Sequence, residues 1–284
     1  MRNVESPICR GALVCCLMTL TACSGPDPVI ADSGGDFELL RDSLACAANN
    51  DGKIELDELL FQVGASASYR VNPPGTLAAV DNQGRVEDGK QVWDHSSLSG
   101  VVAGIKVESV DDTWYAKHFP EATFAVGQEI KAETLEVLRL DPVGQRLLLL
   151  GLVSRKADVT LMVYQPPIEI MRFPLYRELK FTSTGEVHNG TLNNLPMATR
   201  DTYEVEVDGE GTVILPSLKL LRSLRQKVRV RIQTVGQKEV HAFQYQWFHE
   251  CFGEVVRAVA PPTTDNSWPG PTFDKATEYR RLSF

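Results

Sequence analysis

The sequence predicts a mainly β protein, an antiparallel meander, sandwich or open barrel preceded by a short N-terminal helical hairpin. From Ser66 onward, apolar and polar residues alternate in short runs, as in strands that bury one face. Dipeptides typical of tight turns separate several of these runs. Before that point, apolar residues recur at helical spacing. A chain of 284 residues that is 43% hydrophobic can bury a large core.

The first 22 residues have the organisation of an export signal. Arg2 and Arg10 precede an uncharged, largely apolar run at 11–22, which is the usual order in a signal peptide. This run is too short for a membrane-spanning helix, which needs about 20 residues. We therefore expect residues 1–22 to be removed on export.

The residues Leu20-Thr21-Ala22-Cys23 close the apolar run. They resemble the lipobox of bacterial lipoproteins, and the resemblance implies that Cys23 is acylated and anchors the protein to a membrane. The alternative is an ordinary secretory signal with an incidental cysteine. Ser24 stands where, in some bacteria, an aspartate retains lipoproteins in the inner membrane. The resemblance therefore implies the bacterial cell envelope and favours the outer membrane.

Two short regions follow the lipobox. Residues 23–36 are rich in Gly, Pro, Ser and Asp and lack apolar periodicity, which predicts a flexible tether. Residues 37–64 predict the helical hairpin, because Phe37, Leu40 and Leu44 share one helical face and residues 54–63 offer a second amphipathic turn or two.

The turn of this hairpin, from Ala47 to Glu58, resembles an EF-hand calcium loop. The residues at its ligand positions are Asn49, Asp51, Lys53, Glu55 and Glu58. Ala47 stands where the loop needs its first carboxylate, so the resemblance implies only weak Ca²⁺ binding, with a Kd of about 10⁻⁴ to 10⁻³ M. The alternative is a turn that uses Asn, Asp and Gly for its geometry alone.

Cysteine usage predicts one disulfide. Of six cysteines, three lie in the signal and Cys23 takes the lipid, which leaves Cys46 and Cys251. An even pair in an exported chain has an oxidising compartment available, so we predict a bond between them. The alternative is two buried free thiols.

The remaining chain divides at its prolines into an N-terminal β module, 65–166, and a C-terminal antiparallel meander, 167–284. One continuous sheet bent at the prolines is the alternative. Asn189-Gly190, Asp208-Gly209 and Gly236-Gln237 are expected at hairpin turns. Besides the alternating runs at 203–207 and 228–232, strands are predicted at 68–71, 91–94, 101–110, 134–140, 146–153, 159–164, 168–173, 178–188 and 254–259.

The strand at 239–251 places Phe243, Tyr245 and Trp247 on one face. These aromatic side chains form either part of the core or the lining of a ligand cavity inside a barrel. His241 and His249 are about 26 Å apart along an extended strand, so they do not share a metal ion. Carboxylates on the other strands are expected to be solvated.

The whole chain, from the lipobox through Lys90–Asp94 and Phe173-Pro174-Leu175 to residues 250–253, resembles a class of bacterial envelope lipoproteins. That resemblance implies a location without an activity. A formal charge of −8 excludes a nucleic-acid partner, and no catalytic motif is present. We expect a lipid-anchored, non-catalytic structural or binding protein. The alternatives are a β-cavity carrier of an apolar ligand and an envelope hydrolase with a spatially assembled site.

Overall fold

The structure is a computed structural model that describes residues 29–31, 46, 48–59, 61–128, 134–265 and 272–284. The predicted signal peptide, the lipobox with Cys23, most of the tether, the first half of the helical hairpin and Ala47 lie outside the described residues. The protein is mainly β, as predicted. Among the described residues, no helix has the length and hydropathy of a membrane span.

The strands are, in chain order, β1 (Val29–Ala31), β2 (Lys53–Ile54), β3 (Ser66–Val71), β4 (Ala78–Ala79), β5 (Arg85–Glu87), β6 (Lys90–Asp94), β7 (Val101–Glu108), β8 (Phe124–Gln128), β9 (Thr134–Asp141), β10 (Arg146–Ser154), β11 (Leu161–Arg172), β12 (Leu175–Tyr176), β13 (Lys180–Leu192), β14 (Leu195–Ile214), β15 (Leu218–Thr234), β16 (Val240–His249), β17 (Gly253–Val259), β18 (Lys275–Ala276) and β19 (Glu278–Leu282). Two 3-10 turns cover Leu56–Glu58 and Ala116–His118.

Twelve of these strands form a closed antiparallel barrel. Their order around the barrel is β15, β16, β17, β19, β3, β7, β8, β9, β10, β11, β13 and β14, and β14 pairs again with β15. Most neighbours in this order follow one another along the chain. The exception is the pairing of β19 with β3, where Arg280 stands opposite Val71, so the end of the chain completes the barrel.

Side chains alternate between the inside and the outside of the barrel. The alternating sequence at 203–207 predicts this arrangement, and β14 has it. Tyr203, Val205 and Val207 point inward, while Glu204 and Glu206 lie outside in cross-strand ion pairs. The Glu206 carboxylate binds Lys180 Nζ at 2.8 Å and Lys227 Nζ at 2.6 Å. This part of the outer face is therefore charged and the inner face is apolar.

Three buried clusters result from this arrangement. The largest lies inside the barrel and includes Phe124, Leu149 and Leu224. A second lies outside where Trp93 of β6 packs against Trp247 of β16 at a centroid distance of 6.0 Å, and it extends through the wall to Tyr69 of β3. The third also lies outside, beneath residues 109–123 on β8, β9 and β10. A barrel wall covered on both sides explains continuous apolar strands such as β10.

The predicted division at residues 166 and 167 falls inside β11, and strands from both predicted modules close the same barrel. The alternative, one continuous sheet, describes the structure. The prolines are tolerated because β11 and β13 pair irregularly there, with only Leu161 and Gln165 in register with partners, and proline lacks the N–H that a regular ladder needs.

Two predicted turns are bulges. Asn189-Gly190 lies inside β13 and Asp208-Gly209 inside β14, each beside a shift in strand register, where glycine is common. The connection between β13 and β14 is Asn193 and Asn194, both with positive φ, of 51° and 64°. Gly236 does lie in the turn between β15 and β16.

The N-terminal region also differs from the sequence predictions. Over the described residues, the second half of the predicted helical hairpin contains the two-residue β2 and one 3-10 turn, because Ile54 pairs with Leu175 of β12 instead of continuing a helix. Val29–Ala31, within the predicted tether, pairs with β15 in parallel.

Candidate functional site

The interior of the barrel contains a cavity of about 1030 Å³. Eight strands already enclose enough room for a filled side-chain core or one small ligand, and the diameter grows with strand number. Twelve strands therefore leave space that these side chains do not fill. The volume is at the upper end of the range for small-molecule sites, about 300 to 1,000 Å³.

One wall of the cavity is apolar. It is built by the neighbouring strands β7 to β11, whose inward positions carry aliphatic side chains. The members that line the cavity are Ile105, Val107, Val126, Leu138, Leu147, Leu149, Leu152, Ile170 and Met171. Val126 stands opposite Val107 across the β7–β8 ladder, and Leu138 opposite Leu149 across β9–β10. These shared registers make the wall continuous.

The opposite wall carries a cluster of polar side chains that we name the polar belt. It lies on the neighbouring strands β15, β16, β17, β19 and β3, and all its members line the cavity. They are Tyr69, Gln226, Gln246, Glu254, Arg257 and Arg280. Charged side chains are rarely buried unless they are paired, so the bonds within this belt decide its chemistry.

Glu254 is the centre of the polar belt, with a side chain only 11% exposed. Its Oε2 accepts hydrogen bonds from Gln246 Nε2 at 2.7 Å and Arg257 Nε at 2.9 Å. Its Oε1 accepts one from Arg280 Nε at 2.6 Å. The Tyr69 hydroxyl donates to the Glu254 carbonyl at 2.7 Å. The carboxylate is thus held by three side-chain donors.

Electrostatics keep this cluster ionised. Burial acts to raise the pKa of Glu254, but Arg257 and Arg280 outweigh it and hold that pKa below its usual range. Burial acts to lower the pKa of Arg257, but the carboxylates of Glu254, Glu136 and Glu278 outweigh it and raise that pKa. Burial, followed by the charge of Glu254, raises the pKa of Tyr69 to about 12. The phenol is therefore neutral.

Two acceptors in the cavity have no donor among the described residues. Gln246 gives its amide hydrogens to Glu254, so its Oε1 accepts from Gln226 Nε2 at 3.1 Å. This order leaves Gln226 Oε1 buried and unpaired within the described part of the chain. On the facing wall Glu136 lines the cavity beside Leu152, and no hydrogen bond to another described residue holds its carboxylate.

Residues 46, 48–59 and 61, which we name the mouth segment, lie across one end of the barrel. Ile54 and Leu59 are 1% and 6% exposed and belong to the interior cluster. Phe61 stacks on Phe124 at a centroid distance of 5.8 Å and lines the cavity. The segment thus covers this end with apolar side chains.

The predicted disulfide is confirmed and fixes the mouth segment. Cys46 is bonded to Cys251, with a Cα–Cα distance of 5.4 Å, which is ordinary for a disulfide. The bond joins the segment to the turn between β16 and β17. The Cys251 N–H donates to the Glu58 carbonyl at 3.0 Å, and Glu250 Oε2 accepts from the N–H groups of Asn49 and Asn50 at 2.8 and 2.9 Å.

The predicted calcium-loop residues lie in this segment, and their oxygens bond locally. Asn49 Oδ1 accepts from the Asp51 N–H, and Asp51 Oδ1 from the Lys53 N–H. Glu58 Oε2 accepts from the Glu55 N–H, and burial raises the pKa of Glu58. No group of three or more His, Cys, Asp or Glu residues in the described ranges is arranged to hold a metal ion. Weak calcium binding stays a prediction.

The predicted cavity residues lie on the other side of the barrel wall. Tyr245 and Trp247 belong to the outer cluster with Trp93, and neither they nor Phe243 line the cavity. The lining residues of β16 are Gln244, Gln246 and Phe248. Both faces of β16 are buried because Trp93 of β6 covers Trp247 on the outside and Phe273 covers Tyr245. Burial of the aromatic face therefore did not reveal which side faces the cavity.

A buried histidine lies in this outer cluster. His95 is 1% exposed, its Nδ1 is 2.7 Å from the Tyr279 hydroxyl and its ring is 4.6 Å from that of Trp247. Burial, followed by the charge of Arg281, lowers the pKa of His95 to about 3. The cavity lining contains no histidine within the described residues.

Sequence analysis missed the polar belt. The Glu254 carboxylate was expected to be solvated, no role was predicted for Arg257, and β19, which supplies Arg280, was not predicted as a strand. A register shift beside Trp247 and Phe248 places both Glu254 and Arg257 on the inner face although their spacing of three does not fit strict alternation. Charged residues inside a short β run, as in Glu278–Leu282, were the available signal.

A scan against protein-family models and searches of curated proteins and of solved structures found no match.

Proposed function

We propose that this protein is a non-catalytic binding protein of the bacterial cell envelope, anchored by lipid on Cys23, that carries an apolar ligand inside its barrel. The observation that carries the proposal is the cavity of about 1030 Å³ with one continuous apolar wall. Packed protein interiors leave few voids larger than a water molecule. A cavity of this size with a continuous aliphatic wall fits a ligand such as an acyl or aromatic compound.

The chemistry of the cavity favours binding over catalysis. The carboxylate of Glu254 and the two guanidinium groups of the belt are bound to each other, which stabilises their charged forms and leaves no base or nucleophile among these three groups. The hydrolase alternative would need a histidine near a nucleophile and a carboxylate, and the buried His95 lies outside the barrel, against Trp247 and Tyr279.

Titration with N-phenyl-1-naphthylamine, a dye that fluoresces in apolar surroundings, tests the proposal. We expect saturable binding of one dye per protein. Val107→Trp places a large side chain in the cavity and should weaken binding at least tenfold. Lys106→Trp is the matched control, because Lys106 is the exposed neighbour on the outer face of β7, and it should leave binding unchanged.

If Val107→Trp fails to give a wild-type near-ultraviolet circular dichroism spectrum, Leu152→Trp replaces it on the same wall. Absence of saturable dye binding to the wild-type protein, or equal binding by the inner and outer tryptophan variants, would overturn the proposal.

A further inference from the structure

We propose that the ligand is an amphiphile whose polar group donates hydrogen bonds and carries positive charge, such as a primary amine, and that Glu136 and Gln226 receive that group. This inference rests on the proposed function and names the chemical class that the same cavity takes. The inference is based on two observations: the cavity has one apolar and one polar wall, and oxygen acceptors inside it lack donors among the described residues.

The two walls of the cavity require a two-part ligand. The wall on β7 to β11 offers apolar contact, while the wall on β15, β16, β17, β19 and β3 offers the polar belt. A purely apolar ligand would bury polar groups without giving them partners, which is unfavourable. A purely polar ligand would leave the aliphatic wall in contact with water. An amphiphile satisfies both walls at once.

Among the described residues, Gln226 supplies an unpaired acceptor inside the cavity, whereas the unpaired Nε of Arg70 belongs to a side chain that bonds on the opposite face of β3. Gln226 is 2% exposed, and its Oε1 has no partner in the described ranges. Its orientation is fixed, because Gln246 must donate to the Glu254 carboxylate and must therefore accept from Gln226. A ligand group that bonds to Gln226 Oε1 has to be a donor, such as an N–H or O–H.

The donors of the polar belt are already engaged. Arg257 and Arg280 both bind Glu254, and Arg280 Nη1 also lies 3.5 Å from Glu278 Oε1. Arg70 also borders the cavity, but its Nη1 donates to the Leu98 carbonyl at 2.9 Å, on the opposite face of β3. An anionic ligand would have to compete with protein carboxylates for these guanidinium groups.

The formal charge of the cavity also favours a cation. Arg70 is left out of this count because its guanidinium bonds the Leu98 carbonyl on the opposite face of β3. The two inward guanidinium groups, of Arg257 and Arg280, then face three carboxylates, of Glu136, Glu254 and Glu278, which leaves one negative charge in excess. Glu136 is the carboxylate to which no described residue donates a hydrogen bond, and it stands on β9, across the barrel from the belt. In a site of low dielectric, one uncompensated charge discriminates strongly between cationic and anionic ligands.

Competition between ligands of equal chain length tests the inference at pH 7. Bound N-phenyl-1-naphthylamine is displaced with dodecylamine or dodecanoate, each below its micelle concentration, or with dodecan-1-ol below its solubility limit. We expect dodecylamine to displace the dye at a concentration at least tenfold lower than dodecanoate, with dodecan-1-ol between them. Equal potency of the three, or a preference for dodecanoate, would overturn the inference while the dye still binds.

Two variants assign the roles of the acceptors. Glu136→Gln should remove the advantage of the amine over the alcohol, and Gln226→Leu should weaken both relative to the dye. The control Glu204→Gln removes a carboxylate from the outer face, where Glu204 lies 3.2 Å from Arg231, and should change neither. If Glu136→Gln keeps the wild-type order and spacing of affinities, the assignment is wrong. If the wild-type protein binds no dye at all, the proposed function fails and this inference with it.

Discussion

Removal of the Cys46–Cys251 bond should destabilise the protein mainly by freeing its unfolded chain. The two cysteines are separated by 205 residues, so the bond closes a loop that contains nearly the whole barrel. The chain-entropy relation for a loop of that length gives about 5 kcal/mol at 25 °C. Measured values often fall below this relation, so we expect a loss of about 2 to 5 kcal/mol in the free energy of unfolding.

The native contacts of the mouth segment should survive removal of the bond. Ile54 and Leu59 remain buried inside the barrel, and Ile54 still pairs with Leu175. The double variant Cys46→Ser, Cys251→Ser should therefore keep the wild-type fold and dye binding. Its smaller free energy of unfolding then comes from the greater freedom of the denatured ensemble.

Guanidinium denaturation, followed by tryptophan fluorescence, measures this loss. Trp93 and Trp247 are fully buried, so their emission should report the exposure of the core on unfolding. Wild-type protein kept in a reducing agent is the control and should match the double variant. Oxidised wild type and double variant within about 0.5 kcal/mol of each other would refute the reasoning, as would two free thiols titrating in the oxidised, denatured protein.

Three further predictions concern the anchor, the buried histidine and the calcium loop. Cys23→Ser should release the protein from membranes, and equal membrane fractions for variant and wild type would refute the anchor. His95 has a folded pKa of about 3, against about 6.5 in the unfolded chain, so between these pH values the unfolded chain binds one more proton than the folded protein. The free energy of unfolding should therefore fall by about 1.4 kcal/mol per pH unit as the pH drops through that window. His95→Gln should reduce this slope, measured by urea titrations at pH 7 and 5. In calorimetry, Ala47→Asp should strengthen calcium binding and Glu58→Gln should weaken it, whereas no heat from wild type or Ala47→Asp would make the loop an ordinary turn.

Local sequence patterns predicted the parts of the fold that local physics decides. The alternation at Tyr203, Val205 and Val207 gave the strand and its inner face, because neighbouring charged residues could only be satisfied outside. The disulfide followed from counting cysteines in a chain that the sequence predicts to be exported. Each of these predictions needed only the residue types and their spacing.

Closure of the barrel could not be predicted in the same way. It depends on β19 pairing with β3, and the charged residues of β19 hid its strand character. The cavity face of β16 was also hidden, since an outer layer buries Tyr245 and Trp247 as deeply as the barrel buries its lining. Alternation identifies two faces of a strand, but only tertiary structure decides which of two buried faces encloses a cavity.

The location of a bound ligand tests the central claim most directly. Crystals of the protein with 12-bromododecylamine should give one anomalous bromine peak inside the barrel, against the aliphatic wall near Leu149, with the amine directed toward Glu136. A bromine peak on the outer surface, or an empty barrel at saturating ligand, would contradict the account.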